Sequence, residues 1–323
     1  MKILDGFSAA RGAGLVRPVV TLGVFDGVHV GHRFVLDHVV SLARERLVHS
    51  VVVTFARHPR ALLSASTPKL ITSLPHRLRL FRSLGLDAAV VLPFDEEVRN
   101  MEACDFSVRL FADALSASHV VLGYNNRFGR GGTGDLALLK EVGLAHGFSA
   151  RELSDVCVGG QPVSSSRIRE AVLEGRMEDA SLMLGRPFAI LGTVVHGDAR
   201  GRTLGFPTAN LDLHHEVRPP RGVWGCRVRA EGVESFGLVN IGVRPTLGSP
   251  EVQSGEWSER DRAEHVEVHL LDFSGDLYGR DLEVEFIKKL RDEMRCDGLE
   301  ALRQRIAADV LAFRNDLARA PTR

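Results

Sequence analysis

"PVVTLGVFDGVHVGHRFVLDHVVSLARERL", residues 18–47, contains the pattern that decides the fold class. Its first eight residues form a short apolar, β-branched run that ends in glycine-rich sequence, which is typical of a buried strand. From Gly31 onward the apolar residues recur at helical spacing, with Phe34, Val35 and Val39 on one face. The segment therefore predicts a strand followed closely by a helix, the unit from which parallel sheets are built.

The same alternation of strand and helix continues to about residue 185. Further apolar runs of strand type are followed by segments with helical spacing. The predicted strands are 50–55, 87–94, 119–124 and 148–154, and the predicted helices are 74–86, 104–116, 134–147, 164–175 and 177–185. This alternation favours a doubly wound parallel α/β sheet, in which ligands lie at the carboxyl ends of the strands. "GVFDGVHVGH" and "GYNNRFG" both fall at such ends.

The pattern changes near Gly185, where strand-like segments begin to follow one another without helices between them. These segments alternate apolar and polar residues and are separated by Gly, Pro and Asp. They cover 189–197, 222–230, 235–242, 265–273 and 282–290, and a helical pattern returns at 298–318. We therefore expect an antiparallel β-barrel with one C-terminal helix, and two domains at 1–186 and 187–323.

Composition bounds the functional class. The chain has 323 residues, with 41 Lys+Arg and 41 Asp+Glu, so its formal net charge is zero. This balance argues against a nucleic-acid binder, because such a domain is usually basic. No stretch resembles a secretory signal or approaches the roughly 18 apolar residues of a membrane span. The spacing of Cys104, Cys157, Cys226 and Cys296 suggests neither a zinc site nor disulfides, so we expect free thiols and a cytoplasmic protein.

Two histidines three residues apart, His29 and His32, stand where the first predicted strand meets its helix. A helix N-terminus offers free backbone N–H groups to an anion, and Gly23, Gly27 and Gly31 let the backbone approach it. The pattern favours a phosphate-binding loop with two additional imidazole donors. A metal site would require a third ligand that is not identifiable nearby, and a pair of packing histidines is a further alternative.

A second glycine-rich stretch, "GTVVHGDARGRTLGFPTANL" at 192–211, follows the first barrel strand. Its backbone N–H groups could surround phosphates, although it is no Walker motif. Thr208 and Asn210 lie two apart on a strand-like piece and so face one side. Neutral oxygen ligands of this kind suit Mg²⁺ held together with ATP phosphates, and a plain turn is the alternative.

In motif order the chain resembles the bacterial bifunctional riboflavin kinase/FAD synthetases. "GVFDGVHVGH" is similar to the HxGH signature of nucleotidyltransferases, and "VVVTFARHPRALL", "VLGYNNRFGRGGTGD" and "VSSSRIREAVLEGRMEDASLMLGRPF" follow in the family's order. "GRTLGFPTAN", "LVNIGVRPTLG", "VEVHLLDFSGDLYG" and "LRDEMRCDGLEAL" resemble the riboflavin kinase module, which implies a six-stranded barrel. The resemblance spans nearly the whole chain and implies conversion of riboflavin to FMN and of FMN to FAD, with ATP and Mg²⁺.

For adenylyl transfer, the resemblance implies that His29 and His32 donate to ATP phosphates. Arg167 would hold the departing pyrophosphate region and Ser165 would add a hydroxyl. Asn125 would stand at the active-site wall, and Asp26 would orient the loop or help to hold Mg²⁺. The residues expected to contact the nucleotide are Gly23, Phe25, Asp26, Gly27, Gly31, Asn125 and Ser165, with Gly197, Gly201 and Gly205 in the kinase half.

For the kinase, the resemblance implies that Glu267 accepts the proton of the ribityl hydroxyl, while Thr208 and Asn210 hold Mg²⁺. Arg291 and Glu293 match residues that flank the flavin ring. His269 shares a strand face with Glu267, and we interpret it as a packing or orienting residue, with a role as the base as the alternative. The expected ligands are ATP, riboflavin and FMN, with no nucleic acid and no membrane, in a monomer or weak homo-oligomer.

The chain departs from the family pattern at several positions. Arg57 replaces a proline, Asn126 an aromatic residue, and Gly132 an arginine, all in the adenylyltransferase half. In the kinase half the departures are Trp224, Leu247 and Cys296. Two alternatives stay open beside a two-activity enzyme. Arg57, Asn126 and Gly132 motivate a kinase whose N-terminal half only binds nucleotide or flavin, and the other alternative is a flavin-binding regulator or storage protein.

Overall fold

The chain divides into two compact units in the computed structural model, which describes residues 1–56, 69–197, 201, 205–214, 216–243, 264–294 and 296–319. Unit 1 comprises Met1–Ile168 with Met183–Gly185, and unit 2 comprises Arg169–Leu182 with Arg186–Arg323.

Unit 1 is built on a parallel sheet. Among the described residues its strands are β1 (Lys2–Asp5), β2 (Val19–Leu22), β3 (Ser50–Phe55), β4 (Ala88–Leu92), β5 (His119–Leu122) and β6 (Ser149–Glu152). They lie in the order β1-β4-β3-β2-β5-β6. The chain moves outward from β2 through β3 to β4 and then returns to β5 on the other side. The carboxyl ends of β2 and β5 therefore form a topological switch point, the usual place for a ligand in such a sheet.

Helices cover both faces of this sheet. They are α1 (Gly6–Arg11), α2 (Val30–Glu45), α3 (Leu74–Ser83), α4 (Glu96–Asn100), α5 (Ala103–Ser107) and α6 (Leu136–His146). On β2, Val20 and Leu22 face one apolar cluster while Val19 faces the other, as the two-residue period of a strand requires. The predicted doubly wound sheet is confirmed.

Helix α2 buries a face slightly different from the one that its apolar spacing predicted. Val35 and Val39 are buried against the sheet, whereas Phe34 is exposed. The predicted helix at 104–116 is α5 followed by a wider π-helical stretch at Val108–Ala114. Strand β1 and helix α1 lie in a region for which the sequence patterns predicted no element.

The chain leaves the sheet through a hairpin and two helices. Strands β7 (Cys157–Val158) and β8 (Gln161–Pro162) form the antiparallel hairpin. The helices α7 (Ser165–Leu173) and α8 (Met177–Leu184) follow it, close to the predicted bounds.

Unit 2 contains a closed antiparallel barrel. In the described part of the chain its strands are β9 (Ala189–Val195), β10 (Ala209–Asp212), β11 (Gly222–Ala230), β12 (Val233–Val243), β13 (Glu264–Leu270) and β14 (Asp281–Arg291). Their order is β10-β13-β12-β11-β14-β9, closed by pairing of β9 with β10. The C-terminal helix α9 (Leu299–Arg319) follows the last strand. The six-stranded barrel and its helix are confirmed.

Candidate active sites

The loop after β2 is held in an unusual backbone conformation. Phe25 and Val28 have φ angles of +54° and +41°, and Gly27 has +86°. Positive φ at a non-glycine residue costs about 1 kcal/mol or more, so the surrounding structure must hold it. The buried carboxylate of Asp26 provides such a contact, since its Oδ1 accepts the backbone N–H groups of Ile71 (2.9 Å) and Thr72 (3.0 Å). The orienting role expected for Asp26 agrees with this geometry.

The two histidines meet at the start of α2. His29 is the N-cap residue, and its Nδ1 accepts the backbone N–H of His32 at 3.3 Å. Their rings stack with centroids 3.5 Å apart, and the Phe25 ring packs edge-on against His32 at 5.2 Å. Gly31 makes room for the stack, because a Cβ there would lie 3.3 Å from the His29 ring.

His32 is uncharged at neutral pH. Burial, the neighbouring His29 ring and the Arg77 guanidinium hold its pKa well below the usual value for histidine. Its buried Nδ1 has no hydrogen-bond partner among the described residues. Neutrality lets the two rings stack without mutual repulsion, and it leaves one N–H of the His32 ring to donate to a ligand. The arrangement suits an anion that approaches the helix N-terminus.

Ser165 and Arg167 lie at the start of α7. The Ser165 hydroxyl donates to the Asp26 carbonyl at 2.9 Å, which brings this helix start to the β2 loop. The Arg167 guanidinium instead donates to the carbonyls of Gln161 (3.1 Å) and Pro162 (2.6 Å) in the β7–β8 hairpin. Arg167 therefore fixes the hairpin in this structure, and it would have to exchange a carbonyl for a phosphate oxygen to bind pyrophosphate.

The loop after β5 carries the predicted wall residue and one of the departures. Asn125 is exposed, has φ +53°, and donates its backbone N–H to Glu152 at 2.7 Å. Asn126 donates its side-chain amide to the carbonyl of Leu22, the last residue of β2, at 2.6 Å. Asn126 thus cross-links the two loops at the switch point. Gly132 lies in a short turn with φ +69°, while Arg57 falls outside the described residues.

The sequence did not single out Arg77, a fully buried arginine beneath these loops. It donates to the carbonyl of Val24, to the Thr54 hydroxyl at 2.9 Å and to the carbonyl of Phe55 at 3.2 Å. These partners lie at the carboxyl ends of β2 and β3, so Arg77 ties the two strand ends together. Its place in a helical pattern gave no signal of this role.

In unit 2, Glu267 lies at the centre of a row across three strands. It pairs with Asn210 on β10 and with Asn240 on β12, and directly opposed residues of antiparallel strands share a face. Val266 and Val268 point into the barrel, so Glu267 is on its outer face, where it is half-buried. The sequence predicted Asn210 and Glu267 but not Asn240.

The glycine-rich stretch packs closely over the residues expected to hold Mg²⁺. A Cβ at Gly197 would lie 2.2 Å from the amide of Asn210, and one at Gly201 would lie 3.0 Å from the Thr208 hydroxyl. The Oδ1 of Asn210 is buried and accepts no hydrogen bond from the described residues. A buried oxygen without a donor fits a cation ligand, because a polar atom removed from water needs another partner. Gly205 turns the chain toward Thr208 with φ +84°.

His269 supports the same segment from the neighbouring strand. Its Nδ1 lies 2.9 Å from the carbonyl of Pro207, and its ring packs edge-on against Phe206. The orienting interpretation of His269 fits these contacts with the residues just before Thr208.

Arg291 and Glu293 lie at the end of β14. Arg291 forms a bidentate ion pair with Asp309 of α9, whereas Glu293 is exposed and lies against Gly242. Of the departures in this half, Trp224 is buried and donates to the Pro220 carbonyl at 3.1 Å. Cys296 is half-buried, and Leu247 lies outside the described residues.

Comparison with known proteins places both units. The family model for FAD synthetases matches residues 15–167, and the model for riboflavin kinases matches residues 184–317. The Escherichia coli (strain K12) bifunctional riboflavin kinase/FMN adenylyltransferase is 36% identical over 316 residues, covering 97% of each chain. The chain belongs to the bifunctional riboflavin kinase/FMN adenylyltransferase family. The Pseudomonas fluorescens member is 38% identical over 309 residues, covering 94% of this chain and 96% of its own.

A solved structure described as a macrolide-efflux protein from Streptococcus pneumoniae shares the architecture. Its TM-score is 0.77 at 27% identity, and the match covers 98% of this chain and 99% of that chain. Within the residues that our structure describes, no helix is both long and apolar enough to cross a membrane.

Proposed function

We propose that this chain phosphorylates riboflavin to FMN in its barrel, residues 187–323, and adenylylates FMN to FAD in residues 1–186. One observation carries the proposal: a separate family model matches each half, and each half has a site with the residue types that its reaction needs. We propose that both reactions take place in the cytoplasm, on small-molecule substrates, in a monomer or weak homo-oligomer.

In adenylyl transfer, an FMN phosphate oxygen attacks the α-phosphorus of ATP. The bond from that phosphorus to the bridging oxygen breaks, and pyrophosphate leaves. The protein must hold two anions in line and stabilise the charge of the five-coordinate phosphorus. His29 and His32 stand at the N-terminus of α2, where the neutral His32 ring donates to a phosphate oxygen. Ser165 and Asp26 fix the loop, and Arg167 contacts the departing pyrophosphate.

In the kinase, the ribityl 5′-hydroxyl oxygen attacks the γ-phosphorus of ATP, and ADP leaves. Glu267 accepts the hydroxyl proton, which makes the oxygen a better nucleophile. Asn210 lies opposite Glu267 in the strand register, so the base and the expected metal ligand face the same space. Thr208 and Asn210 would hold Mg²⁺, which neutralises phosphate charge when it is bound. Gly197 and Gly201 let the backbone approach the phosphates.

The test is a separation of the two activities in the full chain. Purified protein with riboflavin, ATP and Mg²⁺ should yield both FMN and FAD. Glu267→Gln should lower FMN formation about 10²-fold or more, because it removes the proton acceptor and keeps the shape. It should leave FAD formation from supplied FMN unchanged. His32→Ala should keep FMN formation from riboflavin and reduce FAD synthesis about 10²–10³-fold, because it removes one preorganised hydrogen-bond donor.

Failure of this crossed pattern would reject the proposal. Wild-type protein that makes FMN but no FAD would limit the chain to the kinase. Protein that makes neither product would refute both activities.

A further inference from the structure

The end of β14 is tied to the C-terminal helix by a buried ion pair. The Nε of Arg291 donates to both carboxylate oxygens of Asp309, at 3.1 and 2.9 Å, and Nη2 lies 2.9 Å from Oδ2. Only 14% of the Arg291 side chain and 9% of the Asp309 side chain are exposed. Contacts from two guanidinium nitrogens, Nε and Nη2, to one carboxylate restrict the plane of the guanidinium as well as its position.

Arg291 and the residues after it make further close contacts with the barrel. The Nη1 of Arg291 donates to the Asp292 carbonyl at 3.1 Å. Its backbone carbonyl lies where a Cβ at Gly222 would be only 2.4 Å away, and the Glu293 carboxylate lies where a Cβ at Gly242 would be only 2.2 Å away. The backbone of Arg291 therefore passes close to Gly222, and Glu293, two residues further on, lies over Gly242 with its carboxylate.

Helix α9 is itself fixed to the barrel. The Phe313 ring packs against Gly225, where a Cβ would be 2.3 Å from it, and lies edge-on to Phe236. Asp309 precedes Phe313 by one helical turn and so lies on the same side of the helix. Its carboxylate thus reaches Arg291 from an anchored element, the arrangement that holds a binding site in a defined geometry.

We propose that Asp309 is a positioning residue for the flavin-binding end of the kinase site. It acts through Arg291, whose orientation sets the segment 291–293 that would flank the flavin ring. This proposal rests on the proposed kinase function. Asp309 touches neither the expected metal ligands nor Glu267 in the contacts that the structure describes, so its loss should affect riboflavin more than MgATP.

The chain offers a matched control on the same helix. Asp316 lies seven residues after Asp309, two turns along the same face, and accepts from Lys288 of β14 at 2.7 Å. This pair also joins α9 to β14, but 36% of Asp316 and 58% of Lys288 are exposed. A difference between Asp309→Asn and Asp316→Asn therefore separates the positioning of Arg291 from general attachment of the helix.

The experiment measures kinase kinetics and riboflavin binding in the full chain. Asp309→Asn should raise the KM for riboflavin, and its Kd from flavin fluorescence quenching, about 10-fold or more, because displaced binding groups lose much of their effect. The KM for MgATP should stay within about 2-fold, as should all constants of Asp316→Asn, since exposed pairs contribute little. FAD formation from supplied FMN should be unchanged in both variants.

Two results would overturn the proposal. One is a folded Asp309→Asn with wild-type riboflavin KM and Kd, and the other is an equal rise in the KM of riboflavin and MgATP. If Asp309→Asn does not fold, Asp309→Glu decides by the same criteria, because it keeps the charge and displaces the carboxylate by one methylene. Wild-type protein that makes no FMN would instead refute the proposed kinase function itself.

Discussion

Replacing Asp26 with alanine should weaken unit 1 and its adenylyl transfer together. Asp26 is 2% exposed, and its carboxylate accepts two backbone N–H groups, those of Ile71 and Thr72. Alanine leaves both donors buried without an acceptor, at about 1–3 kcal/mol each, or about 2–6 kcal/mol in total. Asp26→Asn keeps an oxygen acceptor but loses the charge, and a neutral acceptor forms hydrogen bonds of roughly half the strength. We therefore expect this variant to lose about 1–3 kcal/mol of stability.

Asp26→Ala should also reduce FAD synthesis from supplied FMN about 10²-fold at a temperature where the variant is folded. The reason is that the loop that positions the histidines loses its hydrogen bonds to residues 71–72. FMN formation from riboflavin should be unchanged. Asp87→Ala is the matched control. Asp87 accepts the backbone N–H and the hydroxyl of Ser50, both at 2.8 Å, at the amino end of β3. We expect it to cost about 1–2 kcal/mol, since water can replace part of the exposed carboxylate, and to leave transfer intact.

Each unit needs its own stability measurement, because a two-unit chain need not unfold in one step. Trp224 is buried in the barrel of unit 2, so the change in its fluorescence on unfolding reports that unit. Hydrogen exchange at the amides of β2 and β3 reports unit 1. Wild-type exchange and wild-type FAD synthesis in Asp26→Ala would refute the reasoning, as would an equal loss of transfer in Asp87→Ala.

Three further predictions concern the metal, a proton and a supporting contact. Asn210→Ala should raise the Mg²⁺ concentration that half-saturates the kinase, since it removes an oxygen ligand, and an unmoved Mg²⁺ titration would reject the assignment. The lowered pKa of His32 means that below about pH 6.5 the unfolded chain binds a proton that the folded chain does not. As the pH falls from about 6.5 toward the pKa of His32 in the folded state, the free energy of unfolding of unit 1 should therefore decrease by up to about 1.4 kcal/mol per pH unit. In His32→Asn the same free energy, measured by hydrogen exchange at several pH values, should depend less on pH. His269→Phe, which keeps a ring beside Phe206 but loses the contact with Pro207, should raise the same Mg²⁺ requirement, and retention of the wild-type requirement would limit His269 to packing.

The sequence predicted the elements whose pattern is local. Buried parallel strands such as "SVVVTF" are continuous apolar runs, so their order along the chain predicted the sheet. Strand β1, "KILD", is four residues long and largely exposed, and therefore has no such run. The paired histidines and the Thr208–Asn210 pair could be proposed from the sequence because the members of each pair lie within a few residues of each other, and their roles stay predictions.

Contacts between distant residues could not be predicted from these patterns. Asp26 bonds to residues 45 and 46 positions away, and Arg77 is 53 positions from Val24. Asp309 is 18 positions from Arg291 and lies in an otherwise ordinary charged helix. In each case the residue type is common and its meaning depends on which backbone or side chain the fold brings to it.

The packing of α9 on the barrel also determines where the chain can be truncated without loss of structure. A chain that stopped before Leu299 would retain all six barrel strands together with Thr208, Asn210 and Glu267. It would nonetheless expose the backbone at Gly225, which Phe313 covers, and it would leave the Arg291 guanidinium without the carboxylate of Asp309. The C-terminal helix α9 is thus a packed part of the kinase unit. Truncations and C-terminal fusions should therefore be placed after residue 319.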